Sequence, residues 1–403
     1  MASQKELVHK YILKYPTKSK RELARMLYEK YPTIFNSMEA ARSRVRHYTL
    51  SNGTRARDQV MKSNSFVNKP VYNDARMIDA EEKLKDLLKT RKTPSTIEDI
   101  SDYLDISPSK AKIVIGELEK KGYNIHTTQI GVSLHKDMPV KTTEIQLDVK
   151  KHSKNRYRFG TLGDMHLCSK YERRDVLDAM YDIFKEKGIT TVYNTGNWID
   201  GEARFNKTDI HTHGMDNQLQ YMIDVYPNIP GITTYYVAGD DHEGWYTQRE
   251  GINIGKYLEI KATKQGRTDL VFLGYMEADV ILKAKNGQTK LRVLHPGGGS
   301  SYAVSYTSQK IVESYTGGDK PDIILMGHYH KAEYSYVRGV HVLQTASCVD
   351  QSPFMRKKRL ASHLGGWIIE FSTDDNGAVT EFSQTFYPFY DKPYYKDNWS
   401  YKH

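Results

Sequence analysis

Apolar positions fall into three successive patterns along the chain. Up to residue 53 they recur at helical spacing. Leu7, Tyr11, Ile12 and Leu13 mark a first helix. Leu23, Met26 and Leu27 mark a second, opened by a Ser19/Glu22 capping box, and Ala41 and Val45 a third from Ser37 to Tyr48. Asn36 with Glu39 opens that third helix, and Ser51 to Gly53 is its stop signal. Residues 54–78 are polar and aperiodic, which predicts a linker. Residues 79–140 return to helical spacing through Ile97, Ile100 and Leu104. Ser107 and Pro108 then start a helix with Ala111, Val114, Ile115 and Leu118 inward and Lys110 and Lys112 outward. Tyr123 to Leu134 alternates around Gly131 as a hairpin does. From Thr142 the period changes again. Apolar runs of strand length at 156–162, 190–195, 233–238, 270–273, 280–283, 291–294, 323–326, 340–344 and 367–371 are interspersed with helical stretches at 173–187 and 213–226. That alternation predicts an α/β domain over 142–385, followed by an aromatic tail over 386–403.

A length of 403 residues suits two or three domains. No apolar run approaches the roughly 20 residues of a membrane span, so no membrane partner is expected. Cys168 and Cys348 are the only cysteines, which points to a reducing cytoplasm. The net charge of +10 is unevenly placed: residues 1–57 carry +9, residues 58–140 are balanced, and the remainder carries +1. A basic segment of three short helices, with Arg42, Arg44, Arg46 and His47 on the last, has the outline of a helix-turn-helix reader of DNA. A solvated basic arm is the competing reading. The helix, turn, helix and hairpin of 79–140 resemble a winged helix. Its neutral balance leaves two roles open: further DNA contact through Lys110 and Lys112, or docking of a protein partner or a second copy of the chain.

The chemistry lies where strands of the third region end. After 156–162 come Gly163, Asp164 and His166; after 190–195, Gly196, Asn197 and Asp200. After 233–238 come Gly239, Asp240, Asp241, His242 and Glu243; after 291–294, His295; after 323–326, Gly327, His328 and His330. Strand ends in one sheet converge in space, so these side chains can form one site. A spacing of two in Asp164/His166 and in His328/His330 sets each pair on one face of an extended segment. Imidazole and carboxylate together suit Mn, Fe, Zn or Co better than Ca or an all-oxygen Mg site.

The ordered set resembles the calcineurin-like metallophosphoesterase superfamily over roughly residues 156–372, with a likeness in style to double-strand-break repair exonucleases. The resemblance implies a four-layer sandwich of two packed sheets flanked by helices, here preceded by small helical modules of DNA-binding type. It implies that Asp164, His166 and His330 bind one divalent metal and Asp241, His295 and His328 a second, with Asn197 bridging. It implies His242 as general acid and Asp200 as the residue that orients it. Two positions depart from the pattern: the bridging residue, normally Asp, is Asn197, and the residue before the acid, normally Asn, is Asp241. The exchange is reciprocal, so charge is conserved. Asp240 is a second candidate for the Asp241 role.

These features together predict a manganese-dependent DNA nuclease working by two-metal hydrolysis, of phage or mobile-element type and resident in the host cytoplasm. Two alternatives stand beside it: hydrolysis of a small phosphodiester or phosphoprotein, and a non-catalytic DNA-binding protein on a phosphoesterase scaffold. Among weaker features, Gly297 to Ser301 offers backbone N–H groups to a phosphate or merely clears the site. His211 and His213 read as solvated loop residues rather than groups that reach substrate, His341 as a core residue, and the tail as a strap across the body in preference to a stack for single-stranded bases.

Overall fold

The computed structural model describes residues 4–15, 18–48, 74–91, 93–135, 144–146, 155–299 and 301–390. The chain gathers into two compact units, one from residues up to Leu84 with Thr96–Val114, the other from Lys85–Ser95 with residues from Ile115 onward. In the first, helices α1 (Gln4–Lys14), α2 (Lys20–Lys30) and α3 (Met38–Tyr48) bury a small core of Leu7, Val8, Tyr11, Leu23, Ala24, Leu27, Phe35, Ala41 and Val45. The Ser19/Glu22 capping box is formed. The cap of α3 is Ser37, whose hydroxyl accepts from the N–H of Ala40, one residue later than the Asn36 expectation. Helix α4 (Asp74–Thr90) begins inside the stretch expected to be a linker, whose residues 54–73 lie outside the described ones, as does the Ser51 to Gly53 stop signal. Helices α5 (Ile97–Leu104) and α6 (Pro108–Lys120) follow. Thr96 and Asp99 close a reciprocal capping box at the start of α5.

The second unit opens with an antiparallel hairpin of β1 (Ile125–Thr128) and β2 (Gly131–Leu134). Its base is tied to the body by backbone hydrogen bonds from Asn124 to Gly251 and from Asn253 to Gly122, both 2.7 Å. The body runs β3 (Glu144–Gln146), β4 (Arg156–Leu162), α7 (Arg174–Glu186), β5 (Thr191–Asn194), α8 (Met215–Val225), β6 (Thr233–Ala238), α9 (Gly244–Glu250), α10 (Ile254–Lys264) and β7 (Leu270–Tyr275). It continues through β8 (Glu277–Lys283), β9 (Gln288–Leu294), α11 (Tyr306–Ser314), β10 (Ile323–Met326), β11 (Ala332–Val337), β12 (Val340–Thr345), α12 (Pro353–Lys358), β13 (Leu364–Thr373) and β14 (Val379–Phe389).

Two six-stranded sheets result, ordered β14-β13-β4-β5-β6-β7 and β11-β12-β10-β9-β8-β3. Strands β4 to β7 are parallel, as are β9, β10 and β12. Side-chain alternation divides the apolar residues between layers. Tyr157, Phe159, Tyr193, Val280, Leu291, Ile323, Leu325 and Phe371 fill the space between the sheets. On the outer face of the first sheet, residues such as Val192 and Tyr236 pack on α7, α8 and α10 through Leu177, Met180, Leu219, Met222 and Leu258. On the outer face of the second, Ile324, Met326, Val340 and Val342 pack on Val312 of α11. The body is therefore a helix–sheet–sheet–helix sandwich. Because both faces of its central strands are buried, those strands appear in sequence as unbroken apolar runs. Phe386, the first residue of the expected tail, belongs to β14 opposite Trp367; residues 391–403 lie outside the described ones.

Candidate functional site

Five parallel strands, β4, β5 and β6 of one sheet and β9 and β10 of the other, deliver the loops that carry the chemistry. Three groups of possible metal ligands form there: two separate triads, Asp164 with His166 and His330 and Asp241 with His295 and His328, and a third, His166 with Asp200 and His242, that shares His166 with the first. In the first, His330 Nε2 lies 3.5 Å from Asp164 Oδ1 and 3.2 Å from His166 Nε2. In the second, His295 Nε2 and His328 Nδ1 each lie 3.3 Å from a different oxygen of Asp241.

The buried polar atoms left without hydrogen-bond partners are informative, because an unsatisfied buried polar group is costly and rare. They include Asp164 Oδ1, Asn197 Oδ1, Asp241 Oδ1, His295 Nε2 and His328 Nδ1. All five lie on residues at these strand ends, and all have lone pairs to offer once the imidazoles are neutral. The donor set fits divalent cations bound by nitrogen and oxygen. The outer nitrogens of three of the four histidines are already engaged as metal-ligating histidines require, while that of His330, Nδ1, is buried without a partner. His295 Nδ1 is 2.6 Å from the Thr195 carbonyl, His328 Nε2 is 2.7 Å from the Gly298 carbonyl, and His166 Nδ1 is 2.9 Å from Asp200 Oδ1.

The backbone is bent to reach this arrangement. Asp164, His166, Asn197, His242, His328 and His330 all have positive φ, between 47° and 78°. Such conformations cost non-glycine residues about 1 kcal/mol or more each and persist where the surroundings impose them. They also correct one expectation. Asp164/His166 and His328/His330 are not extended segments with two side chains on one face; left-handed turns bring each pair together. Gly239 is needed for a different reason. A Cβ there would stand 2.7 Å from the His295 ring, 3.0 Å from Asn197 Oδ1 and 3.1 Å from Asp241 Oδ1. Any side chain at 239 would fill the cradle itself.

Asp200 links the first triad to His242. Its Oδ1 meets His166 Nδ1 at 2.9 Å and His242 Nδ1 at 3.4 Å, while its backbone carbonyl is 2.9 Å from the same His242 nitrogen. The two imidazoles stand edge to face with centroids 4.2 Å apart. Their environments separate them. Burial and the His242 charge hold His166 down to about 4, so it stays neutral. Burial opposes a charge on His242 too, but hydrogen bonding to Asp200 and the field of Asp241 outweigh it and push His242 up to about 10. Asp241 itself is held far below the usual carboxylate range: burial opposes its charge, but His295 and His328 outweigh that penalty. The side chain of Asp240 points elsewhere, towards Gly297, and belongs to neither triad.

Glu243 has a part that its place in the sequence did not suggest. Fully buried, it accepts at Oε1 from the N–H groups of Asn197 and Gly239, both at 2.9 Å, and so staples the β5 loop to the β6 loop. Burial pushes its carboxyl up to about 8 against those bonds. Asn206 is a second such residue: its Nδ2 reaches Asp200 Oδ2 at 3.1 Å and holds that carboxylate from behind. Nothing in its loop sequence marked it.

No protein-family model matches the chain, and no curated protein sequence does. Solved structures do. An archaeal phosphodiesterase is similar at 11% identity and a TM-score of 0.31, over 57% of this chain and 99% of its own. Vacuolar protein sorting 29 from Cryptosporidium parvum is similar at 13% and 0.28, over 58% and 98%. A 5′-nucleotidase precursor from Thermus thermophilus is similar at 12% and 0.29, over 57% and 54%. Likeness at this level assigns no activity or ligand to this chain.

The residues expected to meet DNA are placed differently from one another. Arg44 and His47 of α3 are exposed, as are Lys110 and Lys112 of α6. Arg42 and Arg46 do not project from the surface as expected. Arg42 pairs with Glu39 and with Asp102 of α5, and Arg46, 8% exposed, pairs with Asp105 at 3.1 Å. The acidic face of α5 draws them inward because it offers close carboxylates to partly desolvated guanidinium groups. The glycine-rich loop also differs: it turns carbonyls inward, Gly298 to His328 and Gly297 to the Tyr329 hydroxyl at 3.2 Å. His211 and His213 lie against Glu172 and Glu202, away from the triads. Half-buried His341 stacks on Phe382 with centroids 4.1 Å apart.

Proposed function

We propose that this chain is a metal-dependent phosphodiesterase acting on DNA, with His242 as general acid. The observation that carries this reading is the meeting of two Asp-His-His triads, with Asp164 Oδ1, Asp241 Oδ1, His295 Nε2 and His328 Nδ1 left without hydrogen-bond partners and an anchored imidazole beside them. Asp164, His166 and His330 would hold one divalent cation, and Asp241, His295 and His328 the second, with the carboxamide oxygen of Asn197 adjoining. Manganese is the first candidate, with iron, zinc or cobalt next. Bound there, such cations supply Lewis-acid stabilisation of charge on the phosphoryl oxygens.

The protein's own groups do the rest. His242 Nδ1 is committed to the Asp200 carbonyl, which leaves Nε2 as the proton donor. Water adds to phosphorus and releases a proton to solvent, the ester P–O bond breaks, the Nε2 proton passes to the departing oxygen, and His242 is reprotonated from solvent. Asp200 is a positioning residue that fixes His166 and His242 together. The basic N-terminal segment supports DNA as substrate, because the body alone is near neutral and presents carboxylates.

A cleavage panel on DNA and RNA with Mn, Mg, Zn or EDTA tests the reading. Cleavage in Mn should be abolished by EDTA and fall roughly 100-fold or more in His242→Ala. Cleavage that survives EDTA, or a variant as active as the parent, would overturn the site assignment. Turnover of bis(p-nitrophenyl) phosphate with no DNA cleavage would shift the substrate to a small phosphodiester. Binding of DNA with no hydrolysis under any metal would leave a scaffold.

A further inference from the structure

Beside His242 the surface carries two aromatic rings that neither the triads nor the cores use. The Trp245 indole lies against the His242 imidazole, with centroids 4.7 Å apart and planes inclined 31°. Phe205 meets Trp245 edge to face at 5.3 Å, and Phe205 is 75% exposed. A lone exposed phenylalanine is ordinary. This one is continuous, through Trp245, with the proposed proton donor, and its loop is not loose. Asn206 next to it accepts from the Ala203 N–H at 2.8 Å and donates to Asp200 and Gly201. Arg249 reaches the Glu202 carbonyl at 3.0 Å, and Glu202 accepts from the Gly214 N–H at 2.9 Å. Gly201 packs so closely on the His242 backbone that a Cβ would stand 2.1 Å from its carbonyl oxygen. The fold thus holds an apolar ring in water at a fixed place.

We infer that Phe205, backed by Trp245, is a stacking shelf for a nucleobase on the leaving-group side of the scissile phosphodiester. The inference deepens the proposed hydrolysis and rests on it for the position of the leaving oxygen. That oxygen must come within about 3 Å of the His242 imidazole. Whatever carries it then lies over the neighbouring rings. A sugar presents no flat apolar face, but the base it bears does, and every base has a π surface that such a ring accepts regardless of sequence. The shelf is open outward rather than enclosed, which suits a base presented by an extended strand more than a small molecule that must be engulfed. Exposed Arg204, next to Phe205, has the charge a flanking phosphate calls for.

Thymidylyl-3′,5′-thymidine and its two analogues with one nucleoside replaced by an abasic tetrahydrofuran unit test this with the full-length protein in Mn. The parent should hydrolyse the complete dinucleotide with a kcat/KM roughly tenfold or more above the analogue lacking the leaving-side base, the scale of one base–aromatic stack. Loss of the retained-side base should have little effect. In Phe205→Ala the ratio between the complete and leaving-side abasic substrates should collapse towards one, and Phe205→Tyr should restore it. Calorimetric binding of the same compounds gives a readout without turnover, with the same base dependence expected. A ratio unchanged in Phe205→Ala, or a parent indifferent to the leaving-side base in both assays, overturns the shelf. Failure of the parent to hydrolyse any phosphodiester instead refutes the proposed function, and the binding assay still decides the shelf.

Discussion

Asn197 and Asp241 share one negative charge between two positions, and their side-chain oxygens border the same small volume beside Gly239. A neutral carboxamide oxygen is a weaker metal ligand than a carboxylate, so the charge on Asp241 should substitute for the one missing at 197. A double-mutant cycle tests that coupling directly. Asp241→Asn should lower the bound metal towards one ion per chain or fewer, and Asn197→Asp added to it should recover much of the loss. A double variant no better than the single one would show that the exchange is not compensation. His341 allows a separate test far from the triads. Burial depresses its pKa, so the folded state disfavours the charged ring. Its contribution to stability is full above the unfolded pKa of about 6.5 and is lost as pH falls below it. In His341→Phe, which keeps the stack on Phe382, the melting temperature should therefore drop less between pH 7 and pH 5 than in the parent. Equal drops would remove this group from the acid response.

At the scale of elements, what the sequence revealed follows burial. Strands covered on both faces, such as β5 with all four residues buried, stand out as apolar runs. Helix α7 stands out because its buried residues recur at helical spacing. The edge strands do not stand out: β11 is half-buried except for the exposed Tyr336, β14 alternates with water on one side, and β3 has three residues. The positions that gather at the candidate site were legible because polar side chains after a buried strand interrupt the pattern abruptly. The positive φ that aims them was not, since Asp, Asn and His adopt it only where neighbouring loops impose it. Glu243 was hidden for a related reason: its partners are backbone N–H groups of two distant loops, which leave no trace in side-chain spacing. Strand β9 carries the least expected polar residue of the core. Arg292, 1% exposed, donates to both oxygens of Asp279 on neighbouring β8, at 2.6 and 2.8 Å. The same guanidinium also donates to the exposed Asp319 at 3.0 Å. Asp279→Ala therefore leaves a buried charge with one carboxylate and should destabilise the body by about 3 kcal/mol, the low end for a broken buried pair, while Asp279→Leu with Arg292→Met should recover most of that loss. Thermal unfolding of both variants checks it, and a single variant as stable as the parent would mean that water or Asp319 already serves the guanidinium.

At the scale of the whole molecule, the basic excess and the candidate site occupy different parts of the chain, so the proposed engagement of DNA should depend on how much of the +9 is free to meet phosphates. Less is free than the sequence alone suggests. Asp102 of α5 holds Arg21 at 3.2 Å and also Arg42, both from the basic segment. Each cation that neutralises a DNA phosphate adds about 0.9 to the magnitude of the slope of log K against log salt. An arginine already paired with a carboxylate adds less. Asp102→Asn keeps the shape of the side chain and removes its charge, which frees Arg21 for phosphate and leaves Arg42 paired with Glu39 alone. If this face binds DNA, the variant should bind a labelled duplex more tightly at low salt, with a slope steeper by roughly one. Arg44→Ala, at an exposed position of α3, should move the slope the other way by roughly one. Fluorescence anisotropy titrations across a salt series read both. Unchanged slopes in both variants would remove α3 from the DNA-binding surface and leave the basic segment as a solvated arm.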